Sequence, residues 1–207
     1  MNKNLSGHEK NLKLVQIALL SALVVIIQLF FSAVRVGPVT LNFTLIPIVI
    51  AGIFTGPIGG LIVGVLAGIT TIIQTFTAGD VFNVLLVTHN PTATAVICVV
   101  KTGAAGLLSG LSYKFMRKFT KIPGVNAILP SIVCPTVNTA IFCIGMLLFF
   151  TSAFEADPNF GIPRDEIVYF IIVTVALVNY LLELAVTVLI SPIITKALSS
   201  TKMFKNV

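Results

Sequence analysis

LNFTLIPIVIAGIFTGPIGGLIVGVLAGI, residues Leu41 to Ile69, carries no charged side chain and holds one tight turn, Thr55-Gly56-Pro57, between two apolar runs. A helix needs about 20 apolar residues to cross the hydrocarbon of a bilayer. The run from Leu41 to Phe54 falls short of that length and contains Pro47, whereas the run from Pro57 to Phe76 reaches it. This predicts two membrane helices joined by a minimal turn, the first tilting little or spanning incompletely.

Four more runs lie outward from this pair: Leu14 to Ala33, Thr92 to Tyr113, Ala127 to Phe154 (broken by Pro130 and Pro135) and Ile167 to Ile194. The expected fold is an all-α integral membrane protein, a six-transmembrane-helix bundle in a single membrane domain. Residues 1–12 form a cytoplasmic N-terminal segment, 14–195 the bundle and 196–207 a cytoplasmic tail.

Composition agrees with that class. The chain has 207 residues, of which 57% are hydrophobic and only 10% charged, against about 25% charged in soluble domains. The net charge of +6 does not point to nucleic acid, because the basic residues sit at the ends of apolar runs and form no stripe. Lys3, Lys10 and Lys13 precede the first run, Lys114, Arg117, Lys118 and Lys121 follow the fourth, and Lys196, Lys202 and Lys205 follow the sixth. The alternate connections hold only Arg35 and Arg164, and the last of them is acidic, with Glu155, Asp157, Asp165 and Glu166. Basic residues mark cytoplasmic loops, so both termini are placed in the cytoplasm. The first run is too long for a signal-peptide core and lacks a small-residue cleavage site, so it is read as retained. Cys98, Cys134 and Cys143 all lie in apolar runs and read as buried small hydrophobes.

Two outer connections have distinct character. AVRVGPVTLN, Ala33 to Asn42, is short and carries the turn signal Gly37-Pro38. TAGDVFNVLLVTHNP, Thr77 to Pro91, interleaves Asp80, Asn83, His89 and Asn90 with Val81, Phe82, Leu85 and Leu86, and so looks able to fold back over the outer mouth of the bundle. Gly60, Gly64 and Gly68 recur every fourth residue on the third helix, as do Gly106 and Gly110 on the fourth. That spacing lets backbones approach closely, and packing inside the bundle accounts for it. Ala18 and Ala22 form a weaker small-residue step on the first helix, whose functional reading is a docking face for another membrane subunit.

The chain's chemistry centres on Lys101, an isolated cation in AVICVVKTGAAGLLSG, residues Ala95 to Gly110. Such a group within a span is expensive and marks a functional site by default. Lys101 precedes Lys114 by 13 residues, and Glu183 precedes Lys196 by the same interval. Both helices run inward, so the two charges fall at similar depth. Asn138 lies near that level, and Asn179 stands one turn outward of Glu183 on the same face. Either Lys101 and Glu183 form a permanent structural pair, or Lys101 receives an anionic ligand group while Glu183 compensates or orients it. No nucleotide-binding, zinc-protease or serine-hydrolase motif is present, and Asp80 and His89 have no nucleophile beside them. The chain is therefore not expected to be an enzyme, to carry a cofactor or metal, or to hydrolyse ATP. An autonomous ion-coupled carrier is disfavoured by the scarcity of intramembrane acids and the lack of an inverted repeat.

Six helices in this length, a basic N-terminus, ALLSA on the first helix and the Leu41 to Ile69 stretch resemble the substrate-binding S components of energy-coupling factor (ECF) vitamin transporters. The resemblance implies a vitamin captured from outside and delivered through a transmembrane coupling subunit and two ATPase subunits, in a bacterial cell membrane. It maps the family's coupling-subunit contact onto Ala18 and Ala22. DVFNVLLVTHNPTATAVICVVKTGAAGLLSGL, Asp80 to Leu111, is most similar to the pantothenate-type members. Lys101 would then suit the carboxylate, with Asn90, His89, Asn138 or Asn179 available for the amide and hydroxyls, and Glu183, Asp80 and Asn83 nearby. Folate, riboflavin or another vitamin remains the alternative, with Lys101 locked to Glu183.

Overall fold

The computed structural model describes residues 7–31, 35–36 and 39–201. Lys3, Lys202 and Lys205 of the charge pattern, and Ala33, Gly37 and Pro38 of the first outer connection, lie outside the described residues. Helix α1 (Gly7–Phe31) leads to a minimal hairpin of β1 (Arg35–Val36) and β2 (Val39–Thr40), paired antiparallel with Arg35 opposite Thr40. Helices α2 (Leu45–Thr55), α3 (Pro57–Thr77), α4 (Val81–His89) and α5 (Pro91–Met116) follow. Then come α6 (Pro123–Asn126), α7 (Ile128–Phe149), α8 (Thr151–Ala156), α9 (Ile167–Tyr169), a π-helical stretch (Phe170–Leu177) and α10 (Val178–Ser199).

Five helical stretches among the described residues are long and apolar enough to cross a membrane: Lys10–Phe30, Pro57–Thr77, Pro91–Met116, Pro123–Phe149 and Ile167–Ser199. The second of the six expected spans is a different object. Helix α2 has 11 residues, about 16 Å of helix against about 30 Å of hydrocarbon. All of its residues except Ile46 are buried, packed among α1, α3, α5, α7 and α10. It is a core helix, apolar all round because protein surrounds it. Pro47 sits in its first turn, where a missing N–H breaks no helical bond. Gly56 then turns the chain with a positive φ of 87°, and Pro57 opens α3 at the position where proline is best tolerated.

The fifth span also departs from expectation. Helix α7 is continuous through Pro130 and Pro135. Pro130 falls in the first turn, and Pro135 forfeits one backbone bond inside a helix held on both sides by α5 and α10. The break comes later, at Phe150, so residues 151–156 form the separate helix α8 and do not extend the span.

The glycine spacing on α3 is spent inside the bundle. A Cβ on Gly60 would collide with the Gly106 carbonyl, one on Gly64 with the Thr102 carbonyl, and one on Gly68 would lie 2.6 Å from the Val99 Cα. Gly52 of α2 meets α5 in the same way, its Cβ position lying 2.8 Å from the Gly110 nitrogen. These three helices thus touch through their backbones, the geometry that small residues permit in lipid. One core cluster, with Val24, Ile48, Val63 and Ala105, fills this region. A second joins Phe82, Leu85 and Leu86 of α4 to Ile97, Met146, Phe150 and Phe154. The apolar residues of the 77–91 connection therefore make a short helix packed onto the bundle.

Candidate binding chamber

Two adjoining cavities share Thr40, Asn42, Lys101 and Phe142 in their walls. The larger has about 600 Å³ of empty space including its mouth, and takes Gln28 from α1, Thr71, Gln74 and Thr75 from α3, Phe82 and Asn83 from α4 and Thr94 from α5. The smaller, about 350 Å³, adds Asn138 and Thr139 from α7, Val175 and Ala176 from the π-helical stretch, and Asn179 and Glu183 from α10. Among the described lining residues Lys101 is the single cation and Glu183 the single acid. The remaining polar groups are amides and hydroxyls, the mixture that binds a small, hydrogen-bonding solute.

Lys101 stands on the α5 face next to the shared wall. Its Nζ lies 5.0 Å from the centroid of the Phe142 ring, a cation–π placement. No ion pair joins it to Glu183. The Glu183 carboxylate instead accepts the backbone N–H of Asn42 at 2.9 Å, and its main-chain carbonyl accepts the Thr187 hydroxyl. Asn179 donates from Nδ2 to the Val175 carbonyl at 3.1 Å. Asn138 is 5% exposed, and its Oδ1 is buried without a hydrogen-bond partner among the described residues. A buried acceptor without a donor is costly, and Asn138 is one of the residues that line the smaller cavity. Gln28 donates to Gln74, bridging α1 and α3 at the larger cavity.

The structure brings together four of the residues singled out by depth, Lys101, Asn138, Asn179 and Glu183, in one chamber wall, and adds Asn83 to the larger cavity. Three others are placed elsewhere. Asp80 caps α4, its carboxylate accepting the Asn83 backbone N–H at 3.1 Å and the Asn83 side chain at 2.8 Å. Asn90 caps α5 by accepting the Ala93 N–H at 3.0 Å. His89 is exposed, with its ring 6.0 Å from that of Phe150. None of the three lines either cavity; short polar side chains at helix starts are drawn to orphan N–H groups first. Ala18 and Ala22 are exposed on α1, in a strip with Leu14, Val15 and Leu19. The three cysteines are free thiols, Cys98 and Cys134 buried and Cys143 half-buried.

Gln28, Thr40, Asn42, Gln74 and Phe142 were not singled out from the sequence. For Gln28 and Gln74 a signal existed, since each is an amide near one end of an otherwise apolar span, the C-terminal end in both.

No curated protein gives a significant match to the chain. The family described as ECF transporter, substrate-specific component, matches residues 12–195, which is most of the sequence and all of the chamber. The match covers well over half of the chain, so the chain belongs to this family: it is a multi-pass membrane protein, the substrate-binding subunit of an ECF transporter, and not itself an enzyme.

Proposed function

We propose that the chain captures a small, water-soluble, anionic vitamin, pantothenate as the best fit, from the outer side of a bacterial cell membrane. It hands the vitamin on through a transmembrane coupling subunit and two ATPase subunits. The observation that carries this reading is Lys101, a cation with no ion-pair partner among the described residues, at the wall common to two polar cavities. A ligand carboxylate offsets its desolvation and gains a charge-assisted hydrogen bond. Amides and hydroxyls arranged about that point suit a ligand with a terminal carboxylate, an amide and hydroxyl groups. The Asn138 Oδ1 calls for a donor on the same molecule.

The basic side chains Lys10, Lys13, Lys114, Arg117 and Lys196 support an orientation with both termini in the cytoplasm. On that orientation the hairpin, α4 and the 150–166 segment face outward, and the larger cavity opens to the exterior. The exposed Ala18 and Ala22 strip is the proposed coupling-subunit contact, because small side chains admit a partner helix closely.

The test is to purify the chain in detergent and identify the small molecule that accompanies it by mass spectrometry. Binding of pantothenate, folate and riboflavin is then measured by equilibrium dialysis. Pantothenate binding with the other two excluded is the expected result. Tight binding of a neutral or cationic vitamin, unaffected by Lys101→Ala, refutes the anionic reading.

A further inference from the structure

We propose that the turn after α5 and the end of α10 form one interfacial surface that binds the headgroups of anionic phospholipids, such as phosphatidylglycerol, in preference to zwitterionic ones. Neither the identity of the vitamin nor the side of the membrane on which this end of the bundle lies enters into it.

Helix α5 ends at Met116 and α6 begins at Pro123. In and beside that gap Lys114, Arg117, Lys118 and Lys121 are all exposed. A fifth cation joins them from a distant part of the chain. Helix α6 lies against α10, where a Cβ on Gly124 would stand 3.6 Å from the Cβ of the exposed Lys196. No acid occurs between Asp80 and Glu155, nor anywhere after Glu183, so neither segment carries a counter-charge of its own. Large apolar side chains are interleaved with these cations: Phe115, Phe119 and Ile122 are 52%, 70% and 59% exposed, and Ile193, three residues before Lys196, is 69% exposed. A surface meeting only water would not present such side chains, and one meeting only hydrocarbon would not carry five cations. The boundary of a bilayer suits both, since rings and aliphatic stems enter the acyl edge while the charged heads stay among the phosphates. Anionic headgroups supply the charge that the two segments lack.

The surface is also built in advance. Phe115 and Phe119 meet edge to face with ring centroids 5.0 Å apart. The Phe119 N–H donates to the Met116 carbonyl at 2.9 Å, and the Ile122 N–H to the Thr120 hydroxyl oxygen at 3.1 Å. Asn126, buried in α6, donates from Nδ2 to the Thr120 carbonyl at 3.1 Å. The turn is thus tied to α5 on one side and to α6 on the other. Its cations need little further ordering when lipid binds, and that lowers the cost of binding.

The experiment follows thermal unfolding of the full chain in uncharged detergent micelles. The micelles are titrated with phosphatidylglycerol or with phosphatidylcholine of the same acyl chains, and native mass spectrometry counts the lipids retained. Phosphatidylglycerol is expected to raise Tm and to remain bound at concentrations about thirtyfold lower than phosphatidylcholine. Lys118→Gln and Lys121→Gln should each cut that preference about fivefold, and Arg117→Gln, Lys118→Gln and Lys121→Gln together should erase it. Phe119→Ser keeps every charge and should weaken the binding of both lipids. Lys10→Gln with Lys13→Gln, at the start of α1, should leave the preference unchanged. Tm in phosphatidylcholine reports the folding of each variant, and the single substitutions carry the test if the triple one does not fold. The proposal is overturned if the two lipids act alike on the wild type, or if the α1 pair removes as much preference as the turn. It is equally overturned if millimolar inorganic phosphate raises Tm as far as phosphatidylglycerol does, which would mark a site for a free anion. A triple variant that keeps its lipid preference but no longer co-purifies with the coupling subunit would assign the surface to that protein instead.

Discussion

Replacing Lys101 with methionine separates a cation kept for a ligand from one kept for the fold. An ammonium at the centre of an isolated membrane helix costs about 2.5–3.5 kcal/mol on insertion scales. Lys101 escapes part of that cost, because it is half-buried, faces a polar cavity and lies 5.0 Å from the Phe142 ring centroid. A cation–π contact returns about 0.5–2 kcal/mol. With no ion pair to lose among the described residues, Lys101→Met should stabilise the ligand-free protein by about 1 kcal/mol, a rise in Tm of about 2–4 °C for a chain of this size. Affinity should move the other way. A charge-assisted hydrogen bond contributes about 1.5–3 kcal/mol, so Kd for an anionic vitamin should rise about 10- to 100-fold. The assay is thermal unfolding of the detergent-solubilised protein with and without pantothenate, beside equilibrium dialysis. A fall in Tm with affinity retained would show that Lys101 holds the bundle together, and the ligand argument would be refuted.

Three further outcomes are expected. Asn138→Ala removes a buried acceptor that lacks a donor among the described residues, so Tm should hold or rise while Kd for pantothenate increases about tenfold; a loss of stability with unchanged Kd would make Asn138 structural. Gly64→Leu places a side chain where α5 backbone already lies and should cost about 3 kcal/mol or more, read as loss of a monodisperse peak in gel filtration; a well-folded variant would contradict the backbone contact. Ala18→Trp, on the exposed strip of α1, should leave pantothenate binding and Tm unchanged but abolish co-purification with the coupling subunit. Intact assembly would move the partner contact elsewhere.

That Lys101 and Glu183 share a level along their helices was legible from the sequence, because a helix rises by a fixed amount per residue. Equal spacing of Lys101 and Glu183 from Lys114 and Lys196 at the C-terminal ends of their helices sets them at one level, and the smaller cavity is lined by both. What that ruler does not supply is rotation. Asn90, His89 and Asp80 lie in the connection between two apolar runs, yet Asn90 and Asp80 cap helices and His89 is exposed. Nor does it supply tertiary contacts made by irregular backbone. Asn42 reaches Glu183 through a main-chain N–H, a group every residue but proline carries, so no residue type marks it. The short helix α2 was readable as short; that nearly all of it is buried follows from its neighbours, which the hydropathy of Leu45 to Thr55 does not distinguish from lipid. The wider winding of Phe170–Leu177 left no trace in its apolar run.

The backbone meeting of α3 with α5 has a bearing on how ligand preference can change. Neither helix can turn about its axis or slip lengthwise by a fraction of a turn without atoms overlapping, so together they act as a fixed jaw. The opposite jaw, from the π-wound stretch into α10, meets its neighbours through side chains that can be exchanged. Mutations that retune this transporter to a longer or shorter vitamin should therefore accumulate around Val175, Ala176 and Asn179, while the face bearing Gly60, Gly64 and Gly106 stays as it is.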